Sequence, residues 1–201
     1  MYLLLAVTLR ILTTMSDTTY LTNQFLIAMP NLMDPNFFHS VTYICEHNER
    51  GAMGIVINQP VDLTVGELVN QIGMQSKDNV LLHQPVYRGG PVETERGFVL
   101  HQPLGKWESS LPITDGIGVS TSNDIIRAIA QGNGPRQCLI ALGYAGWGAG
   151  QLEREIAENA WLSGPADTQI IFDIGAELRW EKAARLLGVD INQISGDAGH
   201  A

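Results

Sequence analysis

The chain has little positive charge. It contains three lysines, and its 12 Lys and Arg residues face 21 Asp and Glu, which gives a net charge of -9. Non-specific affinity for nucleic acids comes mostly from protein cations that replace the counterions of phosphates. Because the sequence also lacks any run of Lys and Arg, we expect no direct DNA or RNA binding.

The motifs of familiar metal and catalytic sites are missing as well. The sequence has no CxxC or Cys/His cluster, no HxH or HExxH, no GxSxG, and no GxGxxG or GK[ST] phosphate loop. These absences predict no metal, no cofactor and no recognised catalytic residue. No repeat, low-complexity segment or long linker divides the 201 residues, of which 45% are hydrophobic. This length and composition are typical of a single globular domain.

The two cysteines are far apart, and each lies in an apolar run. Cys45 ends the run Val41–Cys45, and Cys138 begins the run Cys138–Leu142. Thiols in such runs are typical of a reducing cytosol, so we expect a cytoplasmic protein with two buried, structural thiols. The alternative is a redox-active pair. Alternation along a strand would put Cys45 and His47 on one face, where an imidazolium lowers the pKa of a thiol.

The N-terminal residues are apolar but do not fit a membrane segment. A spanning helix needs about 20 apolar residues, and the run Met1–Leu12 is shorter. Its cation, Arg10, lies near the end of the run, whereas a signal peptide has its basic residues before the run. We expect no membrane association and read residues 1–14 as an extension, which comes from an over-extended start or forms a disordered or loosely docked arm; the alternative is a membrane tether. Residues 15–201 then form the domain, with a tail that frays after Asp190.

Short apolar runs bounded by Gly, Pro and Asn predict strands through most of the chain. They are Phe25–Met29, Val41–Cys45, Met53–Asn58, Val80–Leu82, Pro85–Arg88, Gly97–His101, Gly116–Ser120, Cys138–Gly143 and Thr168–Asp173. Helical periodicity predicts helices from the capping box Thr64–Glu67 to Gly73, and over about 123–131, 151–162 and 176–187. Because strands and helices do not alternate strictly, the pattern favours an α+β fold or a mixed sheet partly curled on itself.

Two glycine-rich segments and one polar loop supply the candidate binding residues. Gly143–Gly150 lies between a predicted strand and a predicted helix, as a phosphate cradle does, but its spacing fits a tightly packed turn better. Arg88 could hold a carboxylate or phosphate, and Asn48 lies in a predicted hairpin turn. The candidate ligand- or partner-binding residues are Asn48, Arg88, Gly89, Gly90, Gly146 and Trp147.

Several segments together carry a specific resemblance. They are Phe25–Pro30, Asp34–Phe37, Cys45–Asn48, Gly51–Pro60, Gly89–Val92, Arg96–His101, Gly143–Trp147 and Gly150–Ile156. From about Leu21 to Gly188 the chain resembles the AlgH/YqgE family of bacterial proteins. The resemblance implies a cytosolic α+β protein whose mixed, bifurcated β-sheet includes a small closed, barrel-like part and is surrounded by helices. The family carries a transcriptional-regulator label tied to alginate control, without agreed catalytic residues, cofactor or metal.

Three functional hypotheses remain. The first is a non-enzymatic regulatory or binding protein that acts through a small molecule or a protein partner, so that any effect on transcription is indirect. The second is an enzyme or redox sensor built on Cys45 and His47, or on the Gly143–Gly150 loop. The third is direct DNA binding, which the acidity disfavours. A pocket where Asn48, Arg88 and Trp147 converge would favour the first hypothesis.

Overall fold

The computed structural model describes residues 20–194, in which the apolar runs form ten strands of a mixed sheet. The strands are β1 Gln24–Ala28, β2 Val41–Asn48, β3 Gly51–Val56, β4 Pro60–Thr64, β5 Pro85–Arg88, β6 Val92–Gln102, β7 Ser110–Pro112, β8 Gly118–Ser120, β9 Gln137–Gly148 and β10 Trp161–Pro165. The helices are α1 Val65–Gln71, α2 Asn123–Ala130, α3 Gln151–Ala157, α4 Thr168–Phe172, α5 Ala176–Leu186 and α6 Ile191–Ile194. The expectations for residues 1–14 and for the end of the tail lie outside the described residues.

The strand order is β10-β1-β2-β3-β9-β6-β8-β7, and all of these neighbours are antiparallel. The short strand β5 runs parallel to the first half of β9 and pairs with β4 on its other side. The sheet curls into a half-barrel with helices packed against it, which confirms the α+β class. The finer expectation, a bifurcated sheet with a small closed barrel, stays a prediction.

Three apolar clusters hold the helices against the sheet. The main core includes Tyr43, Ile55 and Leu100 and is covered by α4 and α5. A second cluster packs α1 and α2 on β5, β6 and the first half of β9. A third packs α3 on the opposite face of β1, β2 and β3. Burial on both faces explains why β1 and β2 read as continuous apolar runs rather than as alternating ones.

Three of the predicted helices lie where the sequence predicts them. At α1 the Thr64 hydroxyl accepts from the Glu67 amide, and the Glu67 carboxylate accepts from the Thr64 amide, which confirms the capping box. The helices predicted over 123–131 and 176–187 are also confirmed, as α2 and α5. The chain continues past Asp190 as α6, in which Ile191 is buried.

In three segments the secondary structure differs from the one that the sequence pattern predicts. Thr168–Asp173 is helical because Asp167 caps a helix start, with its carboxylate accepting from the Gln169 amide at 2.7 Å. Val80–Leu82 lies in a short 3-10 turn rather than a strand. The predicted helix over 151–162 ends at Ala157, and the chain then turns back to form β10, which pairs with β1.

The segment Gly143–Gly150 is mostly strand, so the prediction of a tight turn there is wrong. β9 continues to Gly148 and pairs with β3 from Gly51 to Gly54. Pairing with β3 gives these residues the hydrogen bonds that a turn would otherwise have to supply. Gly143, Gly146 and Gly148 therefore lie in a strand of the sheet and do not form a phosphate-binding loop at the N-terminus of α3.

Gly89 and Gly90 pack backbone to backbone against the middle of β9. The Gly89 amide donates to the Leu142 carbonyl, and the Gly89 carbonyl accepts from the Val56 amide, both at 2.8 Å. A Cβ on Gly89 would overlap the Gly143 carbonyl, and a Cβ on Gly90, where φ is +153°, would overlap the Tyr144 backbone. Glycine is required at both positions because no side chain fits between the two backbones.

Replacing Gly90 by alanine should therefore destabilise the fold. We expect Gly90→Ala to lower the free energy of unfolding by about 3 kcal/mol, because steric overlap adds to backbone strain. The matched control is Gly97→Ala in β6, where an added Cβ meets nothing within 4 Å and a change of about 0.5 kcal/mol or less is expected. Urea denaturation measures both changes, and equal stabilities of the two variants would contradict the close packing.

Candidate functional site

An open groove of about 810 Å³ lies on the sheet where several elements meet. The hairpin of β2 and β3 forms one wall and the start of β6 another, while β7, β8 and the second half of β9 complete it. Sites for small molecules are typically clefts of about 300–1,000 Å³. The groove is therefore large enough for a small organic ligand.

The floor of the groove is apolar and partly aromatic. Phe98 and Tyr144 lie with their ring centroids 5.5 Å apart, and Leu111 is aligned with Val119 across β7 and β8. Phe98 and Val119 are also part of the main core, so the floor rests on tightly packed residues. Leu111 remains 38% exposed and gives the groove an accessible apolar edge.

One charged wall comes from an irregular segment of β6. β6 pairs with β9 at Val92 and again at Gly97, and the residues between them form no pairs with β9. Glu93, where φ is +48°, accepts from the Arg96 guanidinium at 2.9 Å. Arg96 also donates to the Thr121 hydroxyl and lies 5.5 Å from the centroid of the Phe98 ring. Irregular strand segments of this kind redirect side chains and are frequent beside functional sites.

The facing wall is the hairpin that joins β2 and β3, which confirms the predicted hairpin. Asn48 pairs with Gly51, so Glu49 and Arg50 form the turn. The Asn48 side chain accepts from the Arg50 amide at 2.9 Å and donates to the Glu46 carboxylate at 2.6 Å. Within the part of the chain that the structure describes, the Arg50 guanidinium has no hydrogen bond or ion pair.

The predicted binding residues divide between this groove and the turn behind it. Asn48, Gly146 and Trp147 line the groove. Gly89 and Gly90 lie outside its lining and are buried in backbone packing. Arg88 is exposed and also lies outside the lining, so Asn48 and Trp147 meet in one pocket without it.

Sequence reasoning missed the arginines that do line the groove, Arg50 and Arg96, and the apolar floor residues Phe98 and Leu111. One signal was available. The polar stretch Glu93–Arg96 interrupts an otherwise strand-like segment, which marks an irregular strand.

The Trp147 indole faces away from the groove and joins a cluster around Glu155. The Trp147 and Trp161 indoles each donate to one oxygen of the Glu155 carboxylate at 2.8 Å, and Gln151 donates to the other oxygen at 2.9 Å. Indole N–H groups need a partner when they are buried. This carboxylate fixes α3 to β9 and β10 behind the groove wall, so its role is structural.

Cys45 and His47 lie on opposite faces of β2, so the expectation that they share a face is wrong. Ile44 pairs with Gly54 and Glu46 with Met53, which leaves Cys45 as the extra residue of a β-bulge. An inserted residue shifts the alternation of all side chains after it by one. Cys45 therefore packs in the main core, and His47 lies opposite Ala52 in the cluster that packs α3.

His47 and Cys45 have separate environments. The Leu21 amide donates to Nδ1 of His47, so the ring proton resides on Nε2, which lies 3.1 Å from the Glu153 carboxylate. Burial raises the pKa of the Cys45 thiol well above its ordinary value and raises that of Cys138 to about 12. Both thiols are therefore protonated and unreactive at neutral pH.

Two negative findings concern residues 20–194. Within this range no group of three or more His, Cys, Asp and Glu side chains is arranged to hold a metal ion. In the same range no helix is long and apolar enough to cross a membrane.

This chain is similar in sequence and in fold to known proteins. The family model described as AlgH-like matches residues 25–192. A UPF0301 protein of Thioalkalivibrio sulfidiphilus is 60% identical over 187 residues, which cover 93% of this chain and 100% of that protein. A UPF0301 protein of Cupriavidus metallidurans is 56% identical over 181 residues, covering 90% of this chain and 95% of that protein. The chain belongs to the AlgH-like family.

Two solved structures are similar to this fold. The solution structure of AlgH from Pseudomonas aeruginosa has a TM-score of 0.74 at 49% identity, covering 92% of this chain and 98% of that chain. A crystal structure of a Corynebacterium diphtheriae protein has a TM-score of 0.68 at 20% identity, covering 86% and 90%. The second likeness concerns the fold alone.

Because Cys45 is buried in the main core, its thiol should be alkylated slowly in the native protein. We expect iodoacetamide at pH 7 to label Cys45 slowly in the native protein and rapidly after unfolding, because the buried thiol keeps a raised pKa. Cys45→Ser should lower the free energy of unfolding by about 1–3 kcal/mol, since it buries a hydroxyl. Peptide mass spectrometry measures the labelling rates.

The control for that measurement is His47→Ala. Because His47 lies on the other face of β2, this change should leave the native labelling rate of Cys45 the same. Rapid native labelling that disappears in His47→Ala would contradict the assigned faces and revive the redox hypothesis.

Proposed function

We propose that this protein is a non-enzymatic, cytoplasmic binding protein that regulates through a ligand or partner held in the groove. The observation that carries the proposal is the convergence of six strands on one open cavity of about 810 Å³ with an apolar floor and charged walls. Binding sites combine such apolar surface with a few converging polar groups. The two free, buried cysteines support a reducing compartment.

The alternative, an enzyme or redox sensor, has less support. Cys45 and His47 are separated by the sheet, and Gly143–Gly148 is paired strand rather than a loop. Neither arrangement brings a nucleophile within hydrogen-bond reach of a base, which covalent catalysis requires. Any effect on transcription would accordingly be indirect, through what the groove binds.

A substitution at the edge of the groove tests the proposal. Leu111→Asp puts a carboxylate on an accessible part of the floor and should abolish binding, because the apolar contact area is lost. Leu178→Asp is the matched control, since Leu178 is a similarly exposed leucine, 45% against 38%, on α5 and outside the groove. Each protein is dialysed against a bacterial metabolite extract, and the retained compounds are identified by mass spectrometry.

The proposal expects at least one compound that the wild type and Leu178→Asp retain and Leu111→Asp does not. Retention by all three proteins, or by none, would contradict a binding function of this groove.

Direct DNA binding is tested separately. With a net charge of -9, the protein should bind duplex DNA at about 0.15 M salt no more tightly than the typical non-specific Kd of about 10⁻⁴ to 10⁻⁶ M. A gel retardation series over random and promoter fragments measures this affinity. Sequence-selective retardation at nanomolar protein would show that the protein acts on DNA itself.

A further inference from the structure

We infer that the groove binds a small amphipathic anion, with its flat apolar body on the floor and its anionic group at Arg50. This inference rests on the proposed function, because it takes the groove to be the binding site. It adds the chemical class of the ligand.

The floor suits a flat hydrocarbon body. Phe98 and Tyr144 lie side by side with their ring planes inclined at 58°, and Leu111 and Met53 extend the apolar surface on either side. Aromatic side chains pair favourably with further rings in offset or edge-to-face geometry. Contact with an aromatic ligand would remove the exposed part of this surface from water, which drives binding.

Among the charged side chains of the groove walls, one cation has no partner in the described part of the chain and can bind an anionic ligand. Four charged residues line the groove, namely Glu46, Arg50, Glu93 and Arg96. Glu93 is paired with Arg96, and Glu46 accepts from the side-chain NH₂ group of Asn48. Arg50 alone among them has neither an ion pair nor a side-chain hydrogen bond within residues 20–194. The groove therefore offers one guanidinium that has no partner among the described residues, whereas each of its two carboxylates already accepts a hydrogen bond.

The arginine is also well placed for an anion. Its backbone is fixed in the hairpin turn by the hydrogen bond to Asn48, while its exposed side chain lines the same groove as the floor residues. A guanidinium binds a carboxylate through two parallel hydrogen bonds, which an ammonium cannot do. Since the whole molecule carries a charge of -9, an anion gains only from this contact and not from long-range attraction.

Two probes with the same ring system test the ligand class. Naphthoate carries a carboxylate, and naphthylmethanol replaces it with a neutral hydroxymethyl group. We expect calorimetry at about 0.05 M salt to show naphthoate binding about fivefold more tightly, the size expected for a well-formed exposed ion pair. Raising the salt to about 0.5 M should remove most of this preference, because the pair is exposed.

Arg50→Gln should reduce the preference to less than about twofold. The control is Arg154→Gln, because Arg154 is an exposed arginine on α3, also without a partner in residues 20–194, and lies outside the groove. This variant should keep the wild-type preference. Melting temperatures establish that both variants are folded.

The outcomes separate the two proposals. Equal affinities of the wild type for both probes, or equal losses in Arg50→Gln and Arg154→Gln, would overturn the anionic class and leave the groove as the binding site. Binding of neither probe would overturn the inference, and the retention experiment with Leu111→Asp and Leu178→Asp then decides separately whether the groove binds another ligand. A naphthoate preference that Arg50→Gln removes and Arg154→Gln keeps supports both.

Discussion

The contact of two backbones without a side chain between them shapes this molecule. Gly89 and Gly90 pack directly on β9 at Gly143 and Tyr144, and two hydrogen bonds of 2.8 Å connect this turn to β3 and β9. At this point β9 leaves β5 and begins to pair with β3. The sheet can curl here because the turn fills no space beyond its own backbone. The second half of β9 then continues as a wall of the groove.

Interactions between residues that lie close together in the sequence predict most of the helices and strands. The capping box at Thr64 and Glu67 and the amphipathic patterns of α2 and α5 are signals within a few residues, and the structure confirms them. The misplaced elements depend on partners distant in sequence. β10 is a strand because β1 lies beside it, and β9 continues through its glycines because β3 supplies the hydrogen bonds. A single sequence carries no direct sign of such pairings.

In the candidate site, too, some residues can be predicted from local sequence and others depend on partners distant in the chain. The sequence predicts Asn48 from its polar loop, and Gly146 and Trp147 from the glycine-rich segment Gly143–Gly150, and all three line the groove. The sequence does not reveal Arg50 and Arg96 as groove residues. Their role depends on which groups surround each guanidinium, and only the folded chain determines those neighbours. The β-bulge at Cys45 is even harder to predict from the sequence. One extra residue moves His47 to the other face, and no residue type in the run Val41–Cys45 requires a bulge there.

Locating a bound probe shows whether this groove holds a ligand. Nuclear Overhauser contacts from the ring protons of naphthoate to the methyl groups of the protein would report its position. If naphthoate binds in the groove, its ring protons should contact Met53, Leu111 and Val119, which line the groove. Contacts confined to Leu178 and Leu186, the exposed leucines of α5, would contradict binding in the groove.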